Sequence, residues 1–270
     1  MSEVDILILL GTGVAVGLAQ GILGVGGGFV MVPVLVAVFL RQDLPVDLAV
    51  RLAFGTSLLV IFTTATSSSW AHHREGNVWW KAAVVLGGGG GGGAAIGSTL
   101  TSQVISGEVM KSVLGGMLIL VGLRMLLSLQ PESEGEPRDN PILWFAWGFP
   151  IGIVVGLVGV GGGILAVPLM TLVFRFKMKQ AVGTSSAMML FTASAGALGY
   201  FLNGRGASGL PDYSVGYINL VAWMCVAATG VVVAQIGAKM GQKLTERVVR
   251  VIFVLLMFYM GLDMLGIFSG

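Results

Sequence analysis

Charge is what this sequence has least of. Lys, Arg, Asp and Glu make up 10% of the 270 residues, against 55% hydrophobic residues and a mean hydropathy of +0.92. A soluble domain of this length cannot hide so much apolar surface, so lipid must be the solvent for much of it. The 15 basic residues are scattered and the net charge is only +2, which makes nucleic acid a poor partner. A single cysteine, Cys225, excludes an intrachain disulfide and argues against a metal cluster. In the run VAWMCVAATG it reads as a small packing residue. The only histidines, His72 and His73, are adjacent, so their imidazoles point different ways and do not suit a shared metal. They read as part of a solvated interfacial loop. No GxxxxGK[ST] is present, so nothing suggests ATP coupling, and no cofactor is expected. The first residues, MSEVD, lack the positive start of a secretory signal, and the first apolar segment reads as a retained span.

What the chain does have is long apolar runs. They fall at about 4–23, 25–40, 48–71, 79–102 and 109–129, then at 141–160, 162–176, 180–202, 214–238 and 245–268. Most are near the roughly 20 residues a spanning helix needs. The second of each set is shorter and opens in a glycine run. Helix is the only credible structure, because single strands cannot satisfy their backbone in lipid. The fold expected is an all-α polytopic membrane protein of about ten transmembrane or part-spanning helices. Between the sets lies LQPESEGEPRDNP, residues 129–141, a polar, acidic stretch with three prolines that reads as a solvated linker. The expected division is a first repeat over 1–128, the linker over 129–141, and a second repeat over 142–270.

The halves match each other. GILGVGGGFVMVPVL (21–35) and GLVGVGGGILAVPLM (156–170) share 8 of 15 residues at an offset of 135. An offset of 128 aligns Arg51, Gly55, Thr56 and Ser57 with Lys179, Gly183, Thr184 and Ser185. VGLRML (121–126) likewise faces MGLDML (260–265). Three ordered matches read as duplication. With ten segments, 11 basic residues fall on one side and 4 on the other; with eight crossings the tally is 10 against 5. Both arrangements place both termini outside, and the ten-segment one separates charge better. Five segments per half is an odd number, so the repeats would be inverted, with glycine-broken helices meeting near the midplane. That architecture recurs in secondary transporters.

The breaks suggest a ligand. A helix that begins inside a membrane leaves its first N–H groups without intrahelical partners, and the helix dipole there favours negative charge. Gly26, Gly27 and Gly28, and Gly161, Gly162 and Gly163, would let the backbone approach an oxyanion closely. Pro33 and Pro168 lie inside the short helices that follow. The competing reading is that small residues merely allow helices to cross closely. Thr56, Ser57, Thr184 and Ser185 offer uncharged donors, or else bond back to helix carbonyls. Arg51 and Lys179 would draw anions to opposite mouths, or else snorkel at helix ends. The seven consecutive glycines at 87–93 have no counterpart near 227–233 and fit tight packing.

These paired GxGGGxxxxP blocks, each followed by GTS, resemble the sulfite exporter family TauE/SafE over both halves of the chain. The resemblance implies a bacterial inner-membrane transporter of sulfite or an organosulfonate such as sulfoacetate, and carries the motif positions onto Gly24–Gly28 with Pro33, Gly159–Gly163 with Pro168, and the two GTS triplets. The expectation is an alternating-access secondary transporter of a small sulfur-containing oxyanion, its partners the anionic substrate and the bilayer. An anion channel and a permease for another small organic anion are the alternatives. An enzyme is not expected, since GTS lacks the surroundings of a nucleophile elbow. The sequence is compatible with a homodimer and does not require one.

Overall fold

A computed structural model describes residues 1–127 and 138–241, together with 254–255, 258–259, 261–262 and 265–267. Nine helices are described: α1 (Glu3–Leu23), α2 (Gly28–Leu40), α3 (Val46–Arg74), α4 (Trp80–Gln103), α5 (Gly107–Leu127), α6 (Pro141–Val158), α7 (Gly163–Leu172), α8 (Met178–Asn203) and α9 (Leu220–Met240). No strand occurs among the described residues. Five of the helices, α1, α3, α6, α8 and α9, are long and apolar enough to cross a membrane. Residues 129–137 of the linker, most of the tenth segment, Lys243, Arg247, Arg250 and Asp263 lie outside the described residues.

The ends of the helices follow their capping chemistry. Ser2 and Asp5 form a reciprocal capping box on α1, with Ser2 N–H donating to Asp5 Oδ2 at 2.9 Å. Asn140 and Asn219 accept from the backbone of Leu143 and Ala222 at 3.1 and 2.9 Å. The expected ninth segment began at 214, but α9 starts at Leu220. Residues 204–219 are a turn-rich loop, and Asn219 supplies the cap that Ser214 and Val215 lack.

Contacts along the helices give their directions. Gly13, Gly17 and Gly21 of α1 face Val226, Gly230 and Ala234 of α9 in ascending order, so the two helices run parallel. Thr56 of α3 meets Asn219, and Ser67 meets Val231, so α3 also runs parallel to α9. In the other set, Gly148, Gly152 and Gly156 of α6 face Leu86, Gly90 and Ala94 of α4. Gly87 and Gly91 of α4 face Phe191 and Ala195 of α8. Across the centre, Gly183 of α8 lies on His72 of α3 and Gly196 on Leu58, so α3 and α8 are antiparallel. Thus α1, α3 and α9 run one way while α4, α6 and α8 run the other.

Small residues make these crossings close, as lipid-embedded helices require when no hydrophobic force drives them together. A Cβ on Gly17 would stand 2.6 Å from the Gly230 carbonyl oxygen, and one on Gly152 would strike the Gly90 carbonyl. The heptaglycine run now has a packing account. Gly89 and Gly93 face α6, Gly87 and Gly91 face α8, and Gly90 sits between them against Thr192 and Gly148. Gly88 has no atom within 4 Å of an added Cβ, and Gly92 has one at 4.0 Å. The helix α9 does without such a run because its partner α1 carries the glycine stripe and α9 itself has Gly230, Ala234 and Gly237.

Two substitutions in the run should therefore have opposite signs. Gly88→Ala should stabilise the protein by about 0.5–1 kcal/mol through helix propensity alone. Gly93→Ala, whose methyl would strike the Phe149 carbonyl, should destabilise it by about 1–3 kcal/mol. Thermal melts of the two detergent-solubilised variants, compared with the unmodified protein, check both signs.

Candidate anion site at the paired helix breaks

The glycine blocks do break the helices, and in the same way twice. Gly24 ends α1 at φ 65°, its N–H donating to the Gln20 carbonyl at 3.0 Å; Gly159 ends α6 at φ 71°, donating to Val155 at 2.8 Å. Gly27 then opens α2 at φ 62° and Gly162 opens α7 at φ 85°. Such angles cost an L-residue with a Cβ roughly 1–2 kcal/mol, which accounts for glycine there. The Gly27 carbonyl accepts from Val30 and Met31, and the Gly162 carbonyl from Leu165 and Ala166. Pro33 and Pro168 lie inside α2 and α7, as expected.

The two breaks touch. A Cβ on Gly28 would lie 2.8 Å from Val160 Cα, and one on Gly163 would strike the Gly24 carbonyl. Gly26, Gly27, Gly28, Gly161, Gly162 and Gly163 are all buried. Ile61 and Met189, near the middle of α3 and α8, line both breaks, with each side chain approaching Gly161 and Met189 also approaching Gly26. The N-termini of α2 and α7, both positive dipole ends, thus each pack against the opposite break. Among the described residues the only buried carboxylate is Asp5, which is engaged at the start of α1.

The GTS hydroxyls brace each break from the opposite half. Ser57 of α3 donates to the Gly159 carbonyl at 2.7 Å, and Ser185 of α8 donates to the Gly24 carbonyl at 2.8 Å. Thr56 accepts from the backbone N–H of Asn219 at 2.9 Å, and Thr184 from that of Trp79 at 3.0 Å. Ser57 and Ser185 thereby satisfy carbonyls that the helix ends leave open, and Thr56 and Thr184 satisfy the amides that precede α9 and α4. A further pair lies within each half. His72 Nε2 is 3.0 Å from the Gly21 carbonyl, and the Tyr200 hydroxyl donates to the Gly156 carbonyl at 2.8 Å. The residues of every pair are related by offsets of 128, 135 or 140.

His72 corrects an expectation. It is buried, not solvated, because Gly21 and Gly183 clear space for its ring between α1 and α8. His73 is exposed and accepts from Trp80 Nε1 at 3.1 Å. Arg51 and Lys179 lie at opposite ends of the antiparallel α3–α8 pair. Lys179 is exposed, while Arg51 is half-buried with its guanidinium 5.8 Å from the Tyr217 ring centroid.

Gln20 escaped notice in the sequence. It is fully buried on α1, four residues before the break, and its Nε2 donates to Ser186 Oγ at 3.2 Å. Ser68 Oγ donates to the Gln20 carbonyl at 3.3 Å. A polar residue in a segment as apolar as ILILLGTGVAVGLAQGIL was the available signal. The stripe 13–17–21 against 148–152–156, at the offset of 135 already in use, was another.

Apolar helices of spanning length, two of them interrupted and braced crosswise by hydroxyls, define a polytopic helical membrane protein. The chain belongs to the sulfite exporter TauE/SafE family, whose model matches residues 9–264, and the family is one of membrane transporters. A probable membrane transporter protein of Haemophilus influenzae is 28% identical over 259 residues, covering 96% of this chain and 97% of the relative. One of Methanocaldococcus jannaschii is 28% identical over 268 residues, covering 97% and 98%. The YunE probable membrane transporter protein of Bacillus subtilis is 26% identical over 283 residues, covering 97% and 99%. No solved structure matches the chain significantly.

Removing a bracing hydroxyl leaves a buried carbonyl without its donor, which costs about 1–3 kcal/mol. Ser57→Ala and Ser185→Ala should each lower stability by that order. Thr66→Ala, which removes only an exposed bond to Phe62 in its own helix, should change it little. Melting temperatures of the three purified variants test the contrast.

Proposed function

We propose that this protein is a secondary transporter of a small sulfur-containing oxyanion, sulfite or an organosulfonate, held between the N-termini of α2 and α7. The observation that carries this reading is the pair of positive helix ends at touching breaks, Gly28 against Val160 and Gly163 against Gly24, with no buried carboxylate beside them among the described residues. A single anion placed there would be shared by two sets of amide donors. The backbone at Gly26–Gly28 and Gly161–Gly163 grips the anionic head. Admitting the ligand requires the two breaks to part, which frees Ser57 and Ser185 from the opposing carbonyls to donate to the oxyanion, with Thr56 and Thr184 beside them. Arg51 and Lys179 raise the local anion concentration at the two mouths.

The mechanism is alternating access about an inverted repeat. Support comes from the helix directions: α1, α3 and α9 oppose α6, α8 and α4, their counterparts by sequence offset. Opposed halves can exchange conformations, so one packing opens to one side and its mirror opens to the other. The proposed setting is a bacterial inner membrane, with the 129–141 linker in the cytoplasm and both termini outside, as the basic residues favour.

Flux into proteoliposomes tests this. Sulfite or an organosulfonate should be carried and should compete with each other, while a carboxylate competes weakly. Preloaded unlabelled substrate should accelerate uptake, which a channel would not show. Gly27→Ala, which places a Cβ at φ 62°, should reduce flux at least tenfold in protein that still assembles. Unchanged flux in that variant removes the site.

A further inference from the structure

The exchange symmetry of the two halves fails at a polar cluster that faces a break. Gln20 is fully buried, and its Nε2 is 3.2 Å from Ser186 Oγ. The Ser186 hydroxyl donates to the Val182 carbonyl at 3.0 Å and its oxygen accepts, which matches the Gln20 amide with Nε2 towards Ser186. Ser68 donates to the backbone carbonyl of Gln20 and lies 3.4 Å from Ser186 Oγ. Gln20 Oε1 therefore points the other way. It is buried with no hydrogen-bond partner among the described residues, and it lies 3.7 Å from where a Cβ on Gly26 would stand.

Exchange of the halves places apolar residues at the matching positions. Offsets of 135 and 128 place Val155 opposite Gln20, Leu58 opposite Ser186 and Gly196 opposite Ser68. A Cβ on Gly196 would stand 2.8 Å from Leu58 Cδ1, so the mirror of this polar cluster is a hydrocarbon contact. A buried acceptor without a donor costs free energy that the fold recovers nowhere else in this cluster. A ligand with a donor, bound at the break, would satisfy it.

We infer that Gln20 is a substrate-binding residue whose Oε1 accepts a hydrogen bond from the transported ion, so that the substrate is an oxyanion bearing its own O–H donor. This rests on the anion site proposed above and adds its chemical selectivity. The helix ends take the charged oxygens. Gln20 takes the hydroxyl, and because only one half offers an acceptor, the ion binds in one orientation. A singly protonated oxyanion fits; a monoanion of the same shape whose hydroxyl is replaced by methyl leaves Oε1 buried and unpaired.

Hydrogensulfite and methanesulfinate are two such monoanions, and their initial uptake into proteoliposomes at mildly acidic pH tests the inference. The unmodified protein should carry hydrogensulfite about tenfold better at equal concentration, the usual scale for one unpaired buried group. Gln20→Val, which installs the residue found at the mirrored position, should bring the ratio close to one. Equal transport of the two ions by the unmodified protein overturns the role of Gln20, and this measurement decides the matter even if the variant does not assemble. A ratio that persists in an assembled Gln20→Val protein also overturns it. The two readings fail separately: if neither ion is carried, the proposed function falls, whereas equal carriage that Gly27→Ala abolishes leaves the anion site standing and removes only the selectivity.

Discussion

A helix that stops inside hydrocarbon must find partners for the backbone groups it exposes, and this requirement organises the whole molecule. The chain stops two helices in this way, at Gly24 and Gly159. The freed carbonyls are not turned to water or to their own segment. Each accepts a serine hydroxyl from the long central helix of the opposite half, at 2.8 and 2.7 Å. The threonines one residue earlier take the amides that precede α4 and α9. Each GTS triplet therefore ties a central helix to elements of the other half, and neither break is satisfied by its own half alone.

That arrangement has a dynamic consequence. Because the bracing crosses between halves, relative movement of the halves must break or exchange the Ser57 and Ser185 bonds together. Two equivalent bonds related by exchange suit a bistable element better than a graded one. The glycine crossings point the same way. The α1–α9 and α4–α6 crossings bring backbone against backbone at Gly17, Gly21, Gly152 and Gly156. Pairs so closely packed move as units, which leaves the surfaces around Ile61 and Met189, lined by flexible side chains, as the place where packing can change.

Much of this was legible in the residues. Apolar runs gave the helices to within a few positions, since the length of a span is fixed by the bilayer and glycine marks the interruption. Gly24 and Gly159, the two GTS triplets and the proline of each short helix stood out because duplication repeats them. What escaped had no local signature. The start of α9 at Leu220 depends on Asn219 being held by Thr56, 163 residues away. The burial of His72 depends on the space left by Gly183. The seven glycines are intelligible only once α6 and α8 are seen on two sides of α4. The donors of Ser57 and Ser185 looked free for a ligand because their acceptors lie more than 100 residues off in the chain.

Duplication also separates residues that hold the frame from residues that give it direction. Groups that brace the two breaks come in pairs: Ser57 with Ser185, Thr56 with Thr184, His72 with Tyr200. Each half presents the other with the same unsatisfied groups, so the remedy must be duplicated too. A ligand imposes no such demand. One small anion between the halves has no twofold symmetry once one of its oxygens carries hydrogen, and a site that distinguishes its ends must depart from exchange. The Gln20, Ser68 and Ser186 cluster departs in that way, opposite Val155, Gly196 and Leu58. Val155 stands at the second break, which is built without such a cluster.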